Sequence, residues 1–526
     1  MAREAIVVGS GAAGSVVAHE LARAGWSVTV LERGRNLRPG FGRKPSGKLG
    51  TRYSSDEIKS ARGLGFPDGQ LEPYTARTQQ EAADGTARSA QGAQVADWPI
   101  SYDDLAPFYD EVERRVGVQG DLAAMPARTR AQAPRTRGFD MGPNPISYVG
   151  RLLRDAAAGF GYDAYPQPAA VNSRDFAGRP ACVSCGLCSG FGCPINARGD
   201  ALVSYLNPAV RTGRVEVIPR AFVYRVDTSR DGKRARGVRY VDARGRKRRL
   251  TADTVVLAGS PINTARLLLM SSSALHPDGL GNRSGQVGRN MMFHNFTLAA
   301  ALLPEDVHPL RSQSNPLQMD DLMGPFTGPE VRALGVPYVK GGLVQVAGAL
   351  PLFAAAGLYA GAVGYGQAHK ELMRLGILHR RIAGSQLVGE DLPQARNQVD
   401  LDPQVRDMHG FPAARITYSP HRHEQAGALL LGARLEAMHA AVRGAIGAAV
   451  IPNPIISTAV PMTAHLAGTA RMGDDARDSV CDARGGLHEV DGVYVADAST
   501  FPTFPGFNPT NTIMANALRV ARGIAA

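Results

Sequence analysis

The sequence has few cysteines, few aromatic residues and a moderate share of charge. Five cysteines in 526 residues are too few to hold a chain of this length together by disulfides, which excludes a disulfide-rich scaffold. Aromatic residues make up 6% and charged residues 20%, against 44% hydrophobic residues, and this balance excludes a mainly disordered, collagen-like or coiled-coil chain. Length and composition therefore predict a globular protein of two or three domains.

The charge is unbalanced, but nothing accompanies it that points to nucleic acid. Lys and Arg outnumber Asp and Glu by 59 to 47, a formal net charge of +12, and one short basic cluster covers residues 244–249. Because no recognition motif accompanies this charge, we expect no nucleic-acid partner and assign the surplus to Arg-rich surfaces.

Two further features bear on location. The chain passes into an apolar, strand-like run within four residues of its start, which leaves no room for a charged leader and signal core, so a cytoplasmic location is expected. Residues 341–369 carry no charged side chain if His369 is neutral. This Gly- and Ala-rich run is interpreted as a buried hydrophobic helix or a lid on the substrate side, with membrane contact at most peripheral.

The most informative segment is the beginning of the chain. Residues 5–8 (AIVV) predict a buried parallel strand, and residues 27–31 (SVTVL) predict a second one that ends at Glu32. Between them, Gly9, Gly11 and Gly14 have the G-x-G-x-x-G spacing and open a helix. This is one complete β-α-β unit of the dinucleotide-binding kind.

Each residue of this turn has an expected task in cofactor binding. Gly9 permits the tight turn, Gly11 lets a pyrophosphate approach the backbone, and Gly14 allows the helix to pack closely on the strand. The helix N-terminus at Ala12 supplies free N–H donors to the phosphates, and Glu32 accepts from the ribose hydroxyls. The turn alone does not separate FAD from NAD.

Other elements can be read from hydrophobic periodicity and turn residues. Helices are predicted over residues 103–116, 424–446 and 512–524, with a helix start near residues 264–270, and strands over residues 222–227, 235–242, 254–257 and 493–496.

Four cysteines crowd into one short run, with the spacing Cys182-x2-Cys185-x2-Cys188-x4-Cys193 followed by proline. This spacing is one residue from the ferredoxin run, so an iron–sulfur cluster is one interpretation. A zinc site and free or disulfide-linked thiols are the alternatives. Cys481 stands alone and is expected to be a small core residue.

The second half of the chain carries the motifs that distinguish the two cofactors. They are Val493-Tyr-Val-Ala-Asp497-Ala-Ser499, Gly506-Phe-Asn508-Pro509 before a helix, and His465-Leu-Ala-Gly-Thr upstream. With the N-terminal unit, these segments resemble the glucose–methanol–choline (GMC) flavoprotein oxidoreductases. Residues 97–102 (DWPISY) and 285–290 (GQVGRN) resemble further stretches of that family, and residues 389–393 (GEDLP) resemble its gluconate and sugar dehydrogenase branch.

The resemblance implies a fold and a division of the chain. The fold class is α/β, with a discontinuous Rossmann-like FAD-binding domain and a second, substrate domain on a mainly antiparallel sheet. Residues 1–60, 185–290 and 462–526 are assigned to the FAD-binding domain, and residues 61–184 and 291–461 to the substrate domain.

The resemblance also implies site residues. His465 matches the active-site histidine, and Asn508 matches a second position that is His or Asn in relatives. A neutral imidazole can accept the hydroxyl proton of an alcohol, and a carboxamide can hold the oxygen without competing as a base. The flavin is expected to contact Asp497, Ser499 and the Asn508-Pro509 segment, and its adenine the backbone near Val223. His294, His421 and His423 have no partner motif and are expected in loop or surface roles.

The expected function is oxidation of a CH–OH group of a sugar, glycoside or other secondary alcohol, with FAD as the hydride acceptor. An iron–sulfur cluster, carried by some sugar dehydrogenases of the family near a matching Cys-Pro-Ile segment, would favour an electron-acceptor protein or quinone as partner. The alternative is a non-catalytic homologue with weakened flavin binding. Its support is that residues 81–95 lack the Gly-Gly loop that touches the flavin in relatives.

Overall fold

The structure is a computed structural model that describes residues 3–34, 74–77, 93–132, 134–186, 188, 193–348, 352–451 and 463–526. The stretch from 81 to 92, where the Gly-Gly loop is expected, lies outside the described residues.

The strands, in chain order, are β1 (Glu4–Val8), β2 (Ser27–Glu32), β3 (Tyr74–Arg77), β4 (Tyr165–Pro166), β5 (Val215–Pro219), β6 (Phe222–Thr228), β7 (Ala235–Val241), β8 (Lys247–Leu250), β9 (Val255–Leu257), β10 (Met292–Phe293), β11 (Asn295–Leu302), β12 (Leu317–Met319), β13 (Gly342–Gly348), β14 (Ile382–Gly389), β15 (Gln398–Arg406), β16 (Pro412–Thr417), β17 (Gly447–Ile451), β18 (Leu466–Ala467) and β19 (Val493–Val495). The α-helices are α1 (Ala12–Arg23), α2 (Tyr102–Val116), α3 (Ala127–Gln132), α4 (Tyr148–Gly159), α5 (Asn207–Arg211), α6 (Pro261–Met270), α7 (Pro329–Ala333), α8 (Leu352–Val363), α9 (Gln367–Leu375), α10 (Ile377–Arg380), α11 (Arg422–Ala440) and α12 (Thr510–Ala525). The described residues also form a π-helical turn (Leu202–Leu206) and a 3-10 turn (Ala498–Thr500).

A parallel sheet unites the two ends of the chain. Its strand order is β19-β9-β1-β2-β5, and every neighbouring pair is parallel. β1 and β9 are short and apolar because they lie inside the sheet with both faces covered. The sheet therefore places the carboxyl end of β1 beside segments that are hundreds of residues away in sequence.

Different layers cover the two faces of this sheet. On one face, α1, α2 and α12 pack into a core that includes Val16, Val112, Leu518 and the sheet residue Val30. On the other face, the antiparallel sheet β6-β7-β8 forms a second core with the sheet. This arrangement confirms the predicted Rossmann-like α/β unit.

A second, larger sheet has the order β17-β11-β14-β13-β12-β4, with antiparallel neighbours throughout. β11 alternates strictly between buried and partly exposed residues, and its inward residues pack with helices α4 and α11 in one core. Because side chains alternate along each strand, the opposite face of the sheet carries a different set of residues. This is the mainly antiparallel sheet that the sequence predicted.

Small sheets link the two large ones. β10 pairs with β18 in antiparallel fashion, and β15-β16-β3 forms a three-stranded sheet. The domain boundaries given above remain a prediction. α2, which falls in the predicted substrate segment 61–184, packs in the helical layer of the parallel sheet.

The uncharged run at 341–369 is not the single buried helix that was expected, and its interpretation as a lid on the substrate side stays a prediction. Its first part is β13, which lies between β12 and β14 in the large sheet and needs no charge because neighbouring strands and layers cover it. Its later part is α8, which exposes 57% of Leu358 and 46% of Val363. In the described ranges, no helix is both long and apolar enough to cross a membrane.

The other predicted elements were found with small shifts. The helix predicted over residues 424–446 ends at Ala440. A turn with Gly444 at a φ of +84° follows, and β17 begins at Gly447. α2 is preceded by its N-cap residue Ser101, whose side chain and that of Asp104 form a capping box.

Candidate active site

The glycine turn after β1 has the shape that the sequence predicted. Gly9 has a φ of +102°, and a Cβ there would overlap the carbonyl oxygen of Ala258. A Cβ on Gly14 would overlap the carbonyl oxygen of Gly9, so this glycine lets α1 pack against the turn. A Cβ on Gly11 would meet no other atom within 4 Å. The turn is closely packed on the protein side and open at Gly11.

The open side of the turn coincides with the beginning of α1. Gly11 is the N-cap residue and has no side chain to satisfy the first N–H groups, which begin at Ala12. Free N–H groups and the positive end of the helix dipole favour a phosphate at this position. The turn therefore fits the diphosphate of a dinucleotide such as FAD.

Glu32 ends β2 at the same edge of the sheet. Its carboxylate accepts from the backbone N–H and the hydroxyl of Ser10, at 2.9 and 2.7 Å, and from the backbone N–H of Gly34 at 2.6 Å. These bonds fix an acidic side chain beside the glycine turn, where a ribose would lie.

Asp497 and Ser499 lie at the end of β19, next to the turn. Buried Asp497 accepts from Ser260 N at 2.8 Å, from the Thr264 hydroxyl at 2.7 Å and from Ser499 N at 2.9 Å, and it also bonds the Ser499 hydroxyl. Burial raises the pKa of this carboxyl. Its side-chain oxygens are thus bonded within the protein, so a flavin contact at this segment would come from the backbone.

Two other predicted cofactor contacts lie on secondary structure nearby. Val223 is buried in β6, just after Ala221, whose N–H donates to the Glu32 carbonyl at 2.9 Å. Pro509 is buried at the N-cap of α12. The contacts of these residues with a cofactor remain predictions.

His465 is placed by the short pairing of β10 with β18. Phe293 pairs with Leu466, so the next residues outward, His294 and His465, lie opposite each other. The two Nδ1 atoms are 2.9 Å apart, and Nε2 of His294 is 3.0 Å from the carbonyl oxygen of Pro505. One histidine pair thus connects β18 to the loop that carries Asn508.

These contacts determine which nitrogens carry protons. The carbonyl of Pro505 can only accept, so Nε2 of His294 carries its proton, and Nδ1 of a neutral His294 is an acceptor. Nδ1 of His465 must then donate to it. A neutral His465 consequently has a bare Nε2, which is the form that can accept a proton.

The surroundings keep both rings neutral. Burial lowers the pKa of His465 to about 4, and it lowers that of fully buried His294 even further, with the charge of His465 adding to the effect. His294 is also stacked on Phe504, with ring centroids 3.7 Å apart and an interplanar angle of 12°. The expectation of a loop or surface role for His294 was therefore wrong.

Asn508 lies on the same loop as Pro505. Its Oδ1 accepts from Nε2 of Gln345, a residue of β13, at 3.2 Å. The loop is braced at Trp98, whose indole donates to the Thr503 hydroxyl at 2.8 Å and whose ring packs on Phe501. The structure therefore brings the two predicted catalytic positions to one loop-and-strand cluster.

The two other histidines lie at the start of α11. His421 is its N-cap residue and accepts from His423 N, and Nδ1 of partly exposed His423 lies 2.9 Å from the carbonyl oxygen of Tyr338. Both belong to a helix cap rather than to the site around His465.

The four clustered cysteines are free thiols. Burial raises the pKa of the Cys182 and Cys188 thiols, and the Ser184 N–H donates to the Cys182 sulfur at 3.3 Å. Within the described ranges, no group of three or more His, Cys, Asp or Glu side chains is arranged to hold a metal ion. Cys481 is buried in the core, as expected.

Sequence reasoning missed His294 and Gln345. His294 follows the recognised 285–290 segment, but nothing in the local pattern indicates a partner 171 residues away. Gln345 is a polar residue inside an apolar strand, and this is the signal that could have found it.

Comparison with known proteins identifies the family of this chain. A family model described as GMC oxidoreductase matches residues 88–296, and another with that description matches residues 393–517. The 2-methyl-1,2-propanediol dehydrogenase of Mycolicibacterium austroafricanum is 30% identical, over 98% of this chain and 94% of the relative. The chain belongs to the GMC oxidoreductase family.

Other GMC relatives span almost the whole chain. The 6'''-hydroxyparomomycin C oxidase of Streptomyces lividus is 30% identical over 99% of this chain and 90% of the relative. The fructose dehydrogenase large subunit of Gluconobacter japonicus is 27% identical over 100% of this chain and 98% of the relative. A model described as FAD dependent oxidoreductase matches residues 4–141. The chain is thus an FAD-dependent GMC oxidoreductase, as predicted.

Among solved structures, the pyridoxine 4-oxidase from Mesorbium loti covers 99% of both chains with a TM-score of 0.56 and 16% identity. At this identity the likeness shows the fold alone, and it supports the predicted α/β fold class.

Proposed function

We propose that this GMC oxidoreductase oxidises a CH–OH group, with His465 as the base that takes the hydroxyl proton. The observation that carries this proposal is the 2.9 Å contact between the Nδ1 atoms of His294 and His465, which leaves Nε2 of His465 bare. Bound FAD supplies the acceptor for the hydride that leaves the alcohol carbon.

Each part of the chain has a defined task in this proposal. The Gly9–Gly14 turn, the N-terminus of α1 and Glu32 hold the dinucleotide, as their geometry fits a diphosphate and a ribose. Nε2 of His465 receives the proton of the alcohol, and the low pKa of this ring keeps it unprotonated beforehand. Asn508 holds the alcohol oxygen by a hydrogen bond, because a carboxamide can donate without removing the proton.

The substrate class that we propose is a sugar, glycoside or other secondary alcohol. The relatives named above include a diol dehydrogenase, a fructose dehydrogenase subunit and an oxidase of a hydroxyparomomycin. A panel of polyols, sugars and simple alcohols, assayed with an artificial electron acceptor, tests the class. Turnover of simple primary alcohols alone would contradict this substrate class.

The acceptor is proposed to be an electron-acceptor protein or a quinone rather than oxygen. The relative named gluconate 2-dehydrogenase flavoprotein, from Pantoea cypripedii, is 26% identical over 99% of this chain and 93% of the relative. Rates with oxygen, a quinone and a cytochrome, compared at equal concentration of reduced enzyme, decide the question. Rapid reoxidation by oxygen would instead identify an oxidase.

The cysteine run leaves an iron–sulfur cluster as a separate proposal that rests on spacing alone. Since burial raises the pKa of Cys182 and Cys188, a bound cluster would have to supply the positive charge that stabilises their thiolates. A broad absorbance shoulder beyond the flavin bands in anaerobically purified protein would support the cluster. If this shoulder is absent, the cluster proposal is wrong. A cytoplasmic location also remains a prediction, which cell fractionation tests.

The rival function is a non-catalytic homologue that binds flavin weakly. A visible spectrum of the purified protein separates the two: flavin bands that bleach on adding an alcohol support the enzyme, and a colourless protein supports the rival.

A further inference from the structure

A row of amide side chains crosses the large antiparallel sheet toward Asn508. Gln345 of β13 pairs with Gln386 of β14 on one side and with Gln318 of β12 on the other. Residues paired directly across antiparallel strands point to the same face of a sheet. The three glutamines therefore lie side by side, on the face opposite the core packed against α4 and α11.

The hydrogen bonds along this row run in one direction. Nε2 of Gln386 donates to Oε1 of Gln345 at 3.5 Å, and Nε2 of Gln345 donates to Oδ1 of Asn508 at 3.2 Å. An amide has one carbonyl acceptor and one NH2 donor, and the carbonyls of Gln345 and Asn508 are each engaged by the NH2 group before them. The NH2 group of Asn508 is then left as the free end of the chain.

The strand that carries Gln345 also holds the loop that carries Asn508. Leu343 N donates to the carbonyl oxygen of Gly506 at 2.9 Å, and a Cβ on Gly342 would lie 2.7 Å from that same oxygen. Gln345 is 7% exposed, and a buried amide is held firmly in place because losing a partner leaves a polar group unpaired. The loop and the amide chain are thus anchored on one rigid element.

We infer that Gln345, supported by Gln386, is a positioning residue that turns the NH2 group of Asn508 toward the substrate oxygen. This inference rests on the proposed function, in which that oxygen gains negative charge as its proton moves to His465. An oxygen that gains negative charge is stabilised by donors held in place beforehand. In the reversed orientation Asn508 would present its carbonyl to that oxygen and repel it.

The row of glutamines includes Gln318, which serves as a control residue for Gln345. Gln318 is 9% exposed and lies next to Gln345, but its Nε2 donates to the Tyr165 hydroxyl at 2.7 Å, away from Asn508. A Gln318→Leu variant therefore removes a similarly buried amide from the same face without touching the chain to Asn508.

The experiment measures kcat, KM and the rate of flavin reduction for Gln345→Leu, Asn508→Ala, the double variant and Gln318→Leu. We expect Gln345→Leu to reduce kcat about tenfold with a smaller change in KM, because the lost interaction is strongest in the transition state. In the Asn508→Ala background, Gln345→Leu should cause no further loss, since Gln345 acts through Asn508. Gln318→Leu should have the kcat of the wild-type protein.

A second variant tests the direction of the chain. Glutamate at neutral pH can only accept, so Gln345→Glu would turn the NH2 group of Asn508 toward the strand and away from the substrate. We expect its kcat to fall at least as far as that of Gln345→Leu, and Gln345→Asn, which keeps a donor, to retain more activity than either. Bound flavin and the melting temperature, measured for every variant, identify a folding defect.

The outcomes distinguish this inference from the proposed function. Losses that add in the double variant, or a wild-type rate for Gln345→Glu, would overturn the positioning role while Asn508→Ala remains slow. A wild-type rate for Asn508→Ala would overturn the proposed role of Asn508 itself, and the positioning role with it.

Discussion

At the scale of single residues, the central feature is the protonation of His465. Burial lowers its pKa to about 4, so the ring remains neutral and able to accept a proton well below neutral pH. We expect the rate of alcohol oxidation to stay level from neutral pH down to about pH 5 and to fall below that, as the ring becomes protonated. Steady-state rates over this range, with bound flavin measured in parallel, check the prediction. An acid limb centred near the ordinary histidine pKa would contradict it.

His294 is the residue that selects the tautomer of His465. His294→Phe removes the acceptor for the Nδ1 proton, so His465 can place its proton on Nε2 and lose the base. We expect kcat to fall about tenfold or more with little change in KM, and His294→Asn, which keeps an acceptor, to lose less. Equal losses in the two variants would show that His294 only fills space. His423→Phe, at the N-terminus of α11 and outside the site around His465, is the control.

At the scale of elements, two glycines of the turn after β1 have different tasks, one in folding and one in cofactor binding. A Cβ on Gly14 would overlap the carbonyl oxygen of Gly9, whereas a Cβ on Gly11 would meet nothing within 4 Å. We expect Gly14→Ala to lower the melting temperature of the apoprotein. Gly11→Ala should leave it unchanged and raise the Kd for FAD about tenfold or more, because the methyl group occupies the space of the diphosphate. Unchanged FAD affinity in Gly11→Ala would contradict the assigned cofactor position.

A buried carboxyl pair connects β14 to α11 beneath the site. Asp391 accepts from Phe293 N at 2.7 Å and from the Tyr418 hydroxyl at 3.0 Å, and Glu424 accepts from Leu392 N at 3.0 Å. One oxygen of each carboxyl, Oδ1 and Oε2, is buried without a hydrogen bond. Burial raises the pKa of both groups. The charge of Asp391 raises the pKa of Glu424 further, and the charge of Glu390 raises that of Asp391, so the pair is held with a proton.

This pair predicts a loss of stability at alkaline pH. A raised pKa contributes stability that is present below the pKa of the unfolded chain and is lost as pH rises through the folded value. We expect the melting temperature to fall between pH 7 and pH 9, and to fall less in Glu424→Gln, which keeps the acceptor for Leu392 N and cannot ionise. Equal losses in the wild type and the variant would contradict the assignment. Glu436→Gln, on the same helix, is the matched control.

Elements built from neighbouring residues were predictable from the sequence. The β1-turn-α1-β2 unit depends on apolar strands and on glycines a few residues apart, so its form follows from local sterics. His465 and Asn508 could be selected because they lie in motifs that resemble a known family. The partners of these residues could not, because His294 and Gln345 reach them only through pairing between segments 171 and 163 residues apart.

The uncharged segment 341–369 also shows that pairing between distant segments cannot be predicted from the local sequence. A run without charge, such as residues 341–369, is expected both for a buried helix and for a central strand. The first part of this run forms β13 because it pairs with the neighbouring strands β12 and β14. Composition therefore predicted that this part of the chain is covered, and pairing decided its structure.

At the scale of the whole molecule, function depends on the meeting of distant parts of the chain. β19 and β1 both flank β9 in the parallel sheet, and the Ser260 N–H, after β9, donates to Asp497, after β19. The β10–β18 pairing then brings His465 to the loop of Asn508, which leads into α12 on the helical face of that sheet. The cofactor turn, the proposed base and the proposed oxygen-binding amide thus belong to one connected framework.

The most direct test of this account is anaerobic reduction of the bound flavin by an alcohol, followed by its visible absorbance. The wild-type protein should carry FAD that bleaches when a sugar or other secondary alcohol is added. His465→Gln should retain FAD but bleach about 10² to 10⁴ times more slowly, the usual contribution of a general base. A flavin that bleaches equally fast in the wild type and in His465→Gln would contradict the central role of His465.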